Sequence, residues 1–107
     1  NYVEAVSQTV AMAVEAPLKL KIVTSERIWY SITADTYAPQ AGILPAGDEK
    51  SLSFENQIYV RLNQTAGTTL YINGIKVDEL GEFNHPAEIQ FFAEPSTITV
   101  KHYIPQR

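Results

Sequence analysis

A strict two-residue alternation in the segment Arg27–Thr33 constrains this chain more than any other feature. Ile28 and Ile32 fall on one parity, whereas Trp29 falls on the other together with a serine and a threonine. Successive side chains of an extended strand point to opposite faces, and a period of two cannot turn one face of a helix toward a core. The segment is therefore predicted to be a β-strand that carries the chain's one tryptophan on its polar face.

Similar alternating runs, separated by Gly, Pro, Asn and Asp, recur from Pro17 onward. The dipeptide Asn73-Gly74 stands between two of them and is typical of a two-residue type I′ hairpin turn. This spacing predicts an all-β fold, a single antiparallel β-sandwich or flattened barrel of about seven to nine short strands, immunoglobulin-like in general architecture. The expected core consists of Leu18, Leu20, Ile22, Ile28, Ile32, Ile43, Leu52, Val60, Leu70, Ile72, Ile89, Phe91 and Val100, and Ile98, His102 and Ile104 are also expected to face inward in the last strand.

The first sixteen residues allow more than one interpretation. Val3, Val6 and Val10 have helical spacing, whereas Val10 and Val14 also fit the alternation of a strand. The alanine content favours a helix or linker for residues 1–8, and residues 9–15 are interpreted as an added edge strand. We therefore divide the chain into residues 1–16, a linker or an added N-terminal helix or edge strand, and residues 17–107, the β-sandwich domain.

Length and charge exclude several classes of function. A chain of 107 residues fits one domain, and its net charge is −4 with the eight basic residues scattered. A nucleic-acid groove needs a concentrated basic stripe, so nucleic-acid binding by this chain is not expected. No apolar run approaches the roughly 18 residues of a transmembrane helix. Because the chain begins with Asn1, we expect it to be a fragment of a longer protein, in which any targeting or membrane segment lies upstream.

No combination of residues predicts catalysis, a metal site or a cofactor. His85 and His102 have no ligand-type residues at metal-binding spacing, so a solvated loop position and a strand end are expected for them. The chain has no cysteine. Its adjacent acidic pairs lie in predicted turns, where solvated charge is the ordinary interpretation. We predict a non-enzymatic protein; a hydrolase would require Asp48, Glu82 and His85 to cluster in space.

The aromatic residues share one parity across several predicted strands. Trp29, Tyr59, Tyr71, Phe92 and Tyr103 each lie on the face opposite to the aliphatic residues. They form a candidate partner-binding surface, since Trp and Tyr give large contact areas at low entropic cost. Alternatively, the rings form cross-strand pairs, lie beneath the N-terminal segment or seal the ends of the sandwich. Carbohydrate binding would require Trp29, Tyr59 and Tyr71 to share one open surface.

The stretch between Leu18 and Ala93 resembles the C-terminal extracytoplasmic domain of RodZ-like bacterial proteins. The resemblance rests on Leu18–Ile22, Arg27–Thr33 with Asp35, Gly42–Leu52, Ile58–Asn63 and the hairpin Tyr71–Val77. Two features depart from the family pattern. Leu62-Asn63 stands where the family usually has Gly-Asn, and the connection Asp35–Gln40 lacks the usual glycine.

The resemblance implies a periplasmic or extracellular interaction domain, without enzymatic activity or cofactor, in a single-pass inner-membrane protein of cell shape and cell-wall elongation. Such proteins carry a cytoplasmic helix-turn-helix domain before the membrane helix. The implied partner of the outer domain is a protein of the cell-wall elongation machinery or the wall itself. The alternative hypothesis is a carbohydrate-binding accessory module that uses exposed aromatic residues. The sequence leaves the identity of the partner and the oligomeric state open.

Overall fold

The protein is an antiparallel β-sandwich, seen in a computed structural model that describes residues 1–106. Arg107, the last residue of the expected domain 17–107, lies outside the described residues. Within residues 1–106 the chain forms ten strands and a short 3-10 turn at Asp78–Leu80. The strands are β1 Tyr2–Ala11, β2 Leu18–Thr24, β3 Ile28–Ala34, β4 Gln40–Leu44, β5 Glu49–Phe54, β6 Gln57–Leu62, β7 Thr68–Ile72, β8 Ile75–Lys76, β9 Ala87–Phe92 and β10 Thr97–Pro105.

Two sheets enclose the core. The larger has the strand order β1-β10-β9-β6-β3-β4, and the smaller has the order β5-β2-β7-β8. The alternation of Leu18, Leu20 and Ile22 directs these side chains from β2 toward the larger sheet, and Phe91 meets Phe54 edge-on in the core at 5.8 Å between ring centroids. The all-β sandwich is thus confirmed, with ten strands within residues 1–106 in place of the expected seven to nine.

The N-terminal segment is a strand through most of its length. β1 pairs with β10 from Tyr2, opposite Pro105, to Ala11, opposite Thr97, with a bulge between Glu4 and Val6. The helix-or-linker interpretation of residues 1–8 is therefore wrong, and the edge strand ends at Ala11 instead of continuing to residue 15. The spacing of the valines is compatible with the period of a helix and with that of a strand. The segment forms a strand because the edge of the nine-residue β10 offers it a pairing partner.

Most of the predicted core is buried, with three exceptions. Ile43 is 51% exposed because it lies opposite Trp29 on the outer face, while Leu44 takes the inward position of β4. Leu52 is half-buried on the edge strand β5. Ile104 is 40% exposed, since the end of β10 pairs only with the exposed strand β1. Each exception lies on or beside a sheet edge, where alternation does not guarantee that something covers the inner face.

Two residues with positive φ hold the turns together. Asn73, at φ 51°, confirms the predicted Asn-Gly hairpin, and its side chain also accepts the N–H of Lys19 and donates to the carbonyl of Glu15 at 2.7 Å. Asp35, at φ 53°, turns its carboxylate toward the β5–β6 turn and accepts three backbone N–H groups there. Among residues 1–106, no helix is long and apolar enough to cross a membrane.

Candidate binding groove

The five outward aromatic residues do not form one surface. Four of them, on β3, β6, β9 and β10, lie on the outer face of the six-stranded sheet. Tyr71 lies on the outer face of the four-stranded sheet, where the ammonium group of Lys21 sits 5.9 Å from its ring centroid. The shared platform of Trp29, Tyr59 and Tyr71 that the carbohydrate hypothesis required is therefore not formed.

A groove of about 410 Å³ crosses the outer face between Trp29 and Tyr103. The two rings occupy the same transverse row of the sheet: Trp29 lies opposite Asn63, and Tyr103 donates its N–H to the carbonyl of Pro86 at 2.9 Å. Small or flat side chains fill the row between them, which leaves space above the sheet. Tyr2, 57% exposed at the start of β1, also lines the groove.

The Glu88 carboxylate organises the polar part of this groove. Its Oε1 accepts a hydrogen bond from the hydroxyl of Tyr103 at 3.0 Å, and its Oε2 lies 3.8 Å from Nε of Arg61. The register places Arg61 directly opposite Glu88, so that the ion pair spans the β6–β9 pair. Because Arg61 is half-exposed, this ion pair adds little to stability and serves mainly to fix side-chain positions.

Tyr59 and Tyr103 stay protonated at neutral pH. Burial raises the pKa of Tyr59 to about 12, and the Glu88 carboxylate adds to the shift. Burial also raises the pKa of Tyr103, again with a contribution from Glu88. Both phenols therefore stay neutral beside the Glu88 carboxylate, to which Tyr103 donates its hydroxyl hydrogen, and neither is poised to act as a base at physiological pH.

Trp29 is 41% exposed, and no other segment within residues 1–106 covers its ring completely. Asn63 holds both backbone groups of Trp29, since Asn63 Oδ1 accepts the N–H of Trp29 at 2.9 Å and the N–H of Asn63 donates to the Trp29 carbonyl at 3.2 Å. Phe92, 37% exposed, lies two residues beyond Gln90 on β9, outside the groove lining. Of the five candidate residues, Trp29 and Tyr103 therefore line the groove. Tyr59 does not line it, but interacts with Glu88, which does.

His102 faces inward as the alternation predicts, whereas His85 differs from its expected position. His102 is 5% exposed on the inner face of β10, and His85 is half-buried. With Phe83 they form an aromatic cluster in which the centroids of the two imidazoles are 5.5 Å apart. The prediction of a solvated His85 is wrong because the loop before β9 folds back over the end of β10. The parity of Val100 and His102 was the one sequence signal for the burial of His102.

The hydrolase alternative receives no geometric support. Asp48 lies in the β4–β5 turn, where its backbone carbonyl accepts the N–H of Thr24, whereas His85 belongs to the aromatic cluster with His102. Within residues 1–106, no three His, Asp or Glu side chains are arranged to hold a metal ion.

The comparison with protein families gives one match. The model of the RodZ C-terminal domain matches residues 21–89, which is well over half of the chain. The chain belongs to the RodZ C-terminal domain family. The matched region contains Trp29, Asn63 and Arg61, and it ends one residue after Glu88. In this RodZ-type domain, one wall of the groove therefore comes from the family segment, and the other comes from the flanking strands β1 and β10.

Comparisons with curated proteins and with solved structures gave no match.

Proposed function

We propose that this domain is the extracytoplasmic, non-enzymatic interaction module of a RodZ-like membrane protein, and that the Trp29–Tyr103 groove contacts its partner. Membership of the RodZ C-terminal domain family makes it a domain of a RodZ-like cell-shape protein. The groove carries the rest of the proposal, because a half-exposed tryptophan whose backbone N–H and C=O are both held by Asn63 is a preorganised contact.

The chemistry of the groove suits a partner that presents both apolar and polar groups. Trp29 and Tyr2 offer flat apolar area, while Arg61 and Glu88 offer a cation and an anion at the base. Tyr, Trp and Arg are the residues in which interface binding energy concentrates. We propose as partner a protein of the cell-wall elongation machinery or the wall itself, on the periplasmic or outer side of the inner membrane.

The engagement of Glu88 supports the non-enzymatic part of the proposal. A general acid or base must be able to exchange a proton with a substrate. Glu88 instead accepts a hydrogen bond from Tyr103 and faces the guanidinium of Arg61. These contacts engage both oxygens of the carboxylate and fix its position, which suits a group that takes part in recognition.

The test uses the full-length protein in cells that lack the native copy. Trp29→Ala is expected to impair cell shape and to reduce the recovery of wall-elongation proteins in a cross-linked pull-down, at unchanged protein level. The matched control is Tyr37→Ala, which removes an aromatic ring that is 71% exposed on the β3–β4 connection, away from the groove. Normal shape and undiminished recovery with Trp29→Ala would contradict the proposal. A topology reporter fused after β10 that reads the cytoplasm would contradict the proposed location.

The platform of three aromatic residues is not formed, but the groove retains one exposed indole beside a tyrosine, and carbohydrate binding at this smaller site is a second candidate function. Sugar rings stack on such faces. As Trp29 is the chain's one tryptophan, its intrinsic fluorescence reports occupancy of the groove directly. A saturable change in emission upon titration with peptidoglycan fragments, lost in Tyr103→Ala, would support this function, and unchanged emission would exclude it.

A further inference from the structure

β1 forms an unusually open edge of the larger sheet. It pairs with β10 on one side, and its other side has no strand partner within residues 1–106. Of its ten residues, nine are exposed and Val10 is half-buried. Natural proteins usually protect a sheet edge by shortness, charge, proline or bulges.

The other three edges show such protection. β8 has only two residues, β4 has five and lies between Pro39 and Pro45, and β5 carries adjacent charges at Glu49 and Lys50. β1 contains neither lysine nor proline, and its single charged residue and its bulge both lie in its first half. The segment from Val6 to Ala11 is therefore a regular, uncharged edge that is available for pairing with another strand.

The hydrogen-bond pattern shows which groups of this edge are free. Just after the end of β1, the N–H of Met12 donates to the backbone carbonyl of Ser96. Antiparallel pairs alternate between hydrogen-bonded and non-hydrogen-bonded positions. Val10 and Gln8 therefore direct their backbone groups toward β10, whereas Ser7 and Thr9 direct theirs away from the sheet. These outward N–H and C=O groups can bond only to water or to an added strand.

The sequence of this edge is nearly palindromic in its chemistry. Residues 5–11 read Ala-Val-Ser-Gln-Thr-Val-Ala, with Gln8 at the centre. Two antiparallel copies related by a twofold axis at Gln8 pair each residue with its chemical counterpart. Val6 then meets Val10 of the other copy on the inner face, Ser7 meets Thr9 on the outer face, and the two copies of Gln8 face each other.

We propose that β1 pairs with β1 of a second copy of this chain around a twofold axis at Gln8. The pairing joins the two larger sheets into one continuous sheet and supplies partners for the free groups of Ser7 and Thr9. It also covers Val6, which is 47% exposed in the single copy. No like charges meet, because the register places Glu4 opposite Met12, beyond the end of the partner strand. Both grooves lie on the same side of the joined sheet, since an in-plane strand pair has its twofold axis perpendicular to the sheet.

The first experiment uses the absence of cysteine in the chain. At the axis the two Gln8 residues form a non-hydrogen-bonded pair, whose Cα separation of about 4.5 Å lies within the range for a disulfide. Gln8→Cys is expected to give a covalent dimer of twice 11.9 kDa under mild oxidation, in non-reducing electrophoresis at concentrations where random collision gives little product. The control is Gln40→Cys, an equally exposed glutamine on β4 at the opposite edge of the same sheet. Equal cross-linking of the two variants would overturn the proposal.

The second experiment measures association without a covalent bond. Sedimentation equilibrium of the unmodified chain is expected to show a monomer–dimer equilibrium. Gln8→Lys and Gln8→Glu, which each place like charges face to face, should each raise the dissociation constant on the order of fivefold or more. An equimolar mixture of the two variants should recover dimerisation. Circular dichroism of each variant checks that the fold is retained.

A strictly monomeric unmodified chain over the whole accessible concentration range would overturn the proposal, as would a dimer that tolerates Gln8→Lys but is lost in Gln40→Lys. Neither outcome tests the groove, because the residues around the twofold axis, Val6–Val10, do not line it; of β1 only Tyr2, six residues from the axis, is among the groove residues.

Discussion

Trp29 and Asn63 form a closed pair at the end of the β3–β6 ladder. The amide oxygen of Asn63 accepts the N–H of Trp29, and the N–H of Asn63 returns a bond to the Trp29 carbonyl. The side chain of Asn63 thus replaces the next backbone acceptor where β6 leaves the sheet. Asn63 is therefore the residue that holds the Trp29 backbone at this end of the ladder.

Asn63→Ala is expected to lower the free energy of unfolding by about 1 kcal/mol, the typical contribution of one hydrogen bond. It should also loosen the indole and shift the emission of Trp29. Denaturant unfolding and fluorescence spectra measure the two effects. Asn56→Ala, which truncates an exposed amide in the β5–β6 turn, is the control and should change neither quantity. Identical spectra for Asn63→Ala and the unmodified protein would contradict this role.

Asp35→Asn tests the carboxylate that closes the β5–β6 turn. Burial alone would raise the pKa of Asp35, but the hydrogen bonds from the backbone N–H groups of Asn56, Glu55 and Gln57 outweigh it and hold the pKa below the ordinary 3.8. Because asparagine tolerates the positive φ, the variant removes the charge with little added strain. We expect a loss of about 1–2 kcal/mol at neutral pH, given the half-buried setting.

The lowered pKa of Asp35 determines how its contribution to stability depends on pH. A folded-state pKa below the unfolded value stabilises the fold above pH 3.8, and the contribution is lost as the pH falls through the folded-state pKa. Unfolding curves of the unmodified protein and Asp35→Asn should therefore converge in acid. Asp78→Asn, at an exposed carboxylate without a hydrogen bond in the described structure, is the control. A constant difference down to the lowest pH would contradict the assignment.

His85→Gln tests the aromatic cluster. Burial lowers the pKa of His102 below 6.5, and the positive charge of His85 lowers it further, against a hydrogen bond to the backbone of Glu79. Removing His85 should therefore raise the pKa of His102, as measured by NMR titration of the imidazole. Since the folded-state pKa lies below the unfolded one, stability is full above pH 6.5 and declines as the pH falls from there through the folded-state pKa. If His85→Gln left the pKa of His102 unchanged, His85 would have no electrostatic effect on His102, and the prediction would be wrong.

Tyr59→Phe tests the alkaline limit of the fold. The pKa of Tyr59 is raised from 10.0 to about 12, so its contribution to stability is present below pH 10 and is lost as the pH rises toward 12. The phenylalanine variant should lose stability less steeply over this interval, and the last phenolate to appear in an absorbance titration should be missing. Tyr37→Phe, which removes a phenol on an exposed connection, should leave both the late phenolate and the slope in place.

The local pattern determined the strands that lie inside the sheets. Alternation placed Leu20, Ile32 and Val60 in the core, and Asn73-Gly74 fixed a hairpin, because the period of a strand and the φ of a turn are properties of adjacent residues. The same alternation placed Trp29 and Tyr103 on the outer face. The two-residue alternation shows which face of its strand a side chain occupies. It does not show which of the two sheets the strand joins.

Only the tertiary structure decided which outward side chains meet. It placed Tyr71 on the opposite sheet from Trp29. Through the strand order of the larger sheet, it also brought Tyr103, which is distant in sequence, into the same transverse row as Trp29. It also made the N-terminal segment with its valines a strand, because β10 pairs with it. Local sequence propensity carries no information about such a pairing partner. Faces follow from neighbours in sequence, whereas grooves and edges follow from strand order, which long-range pairing alone sets.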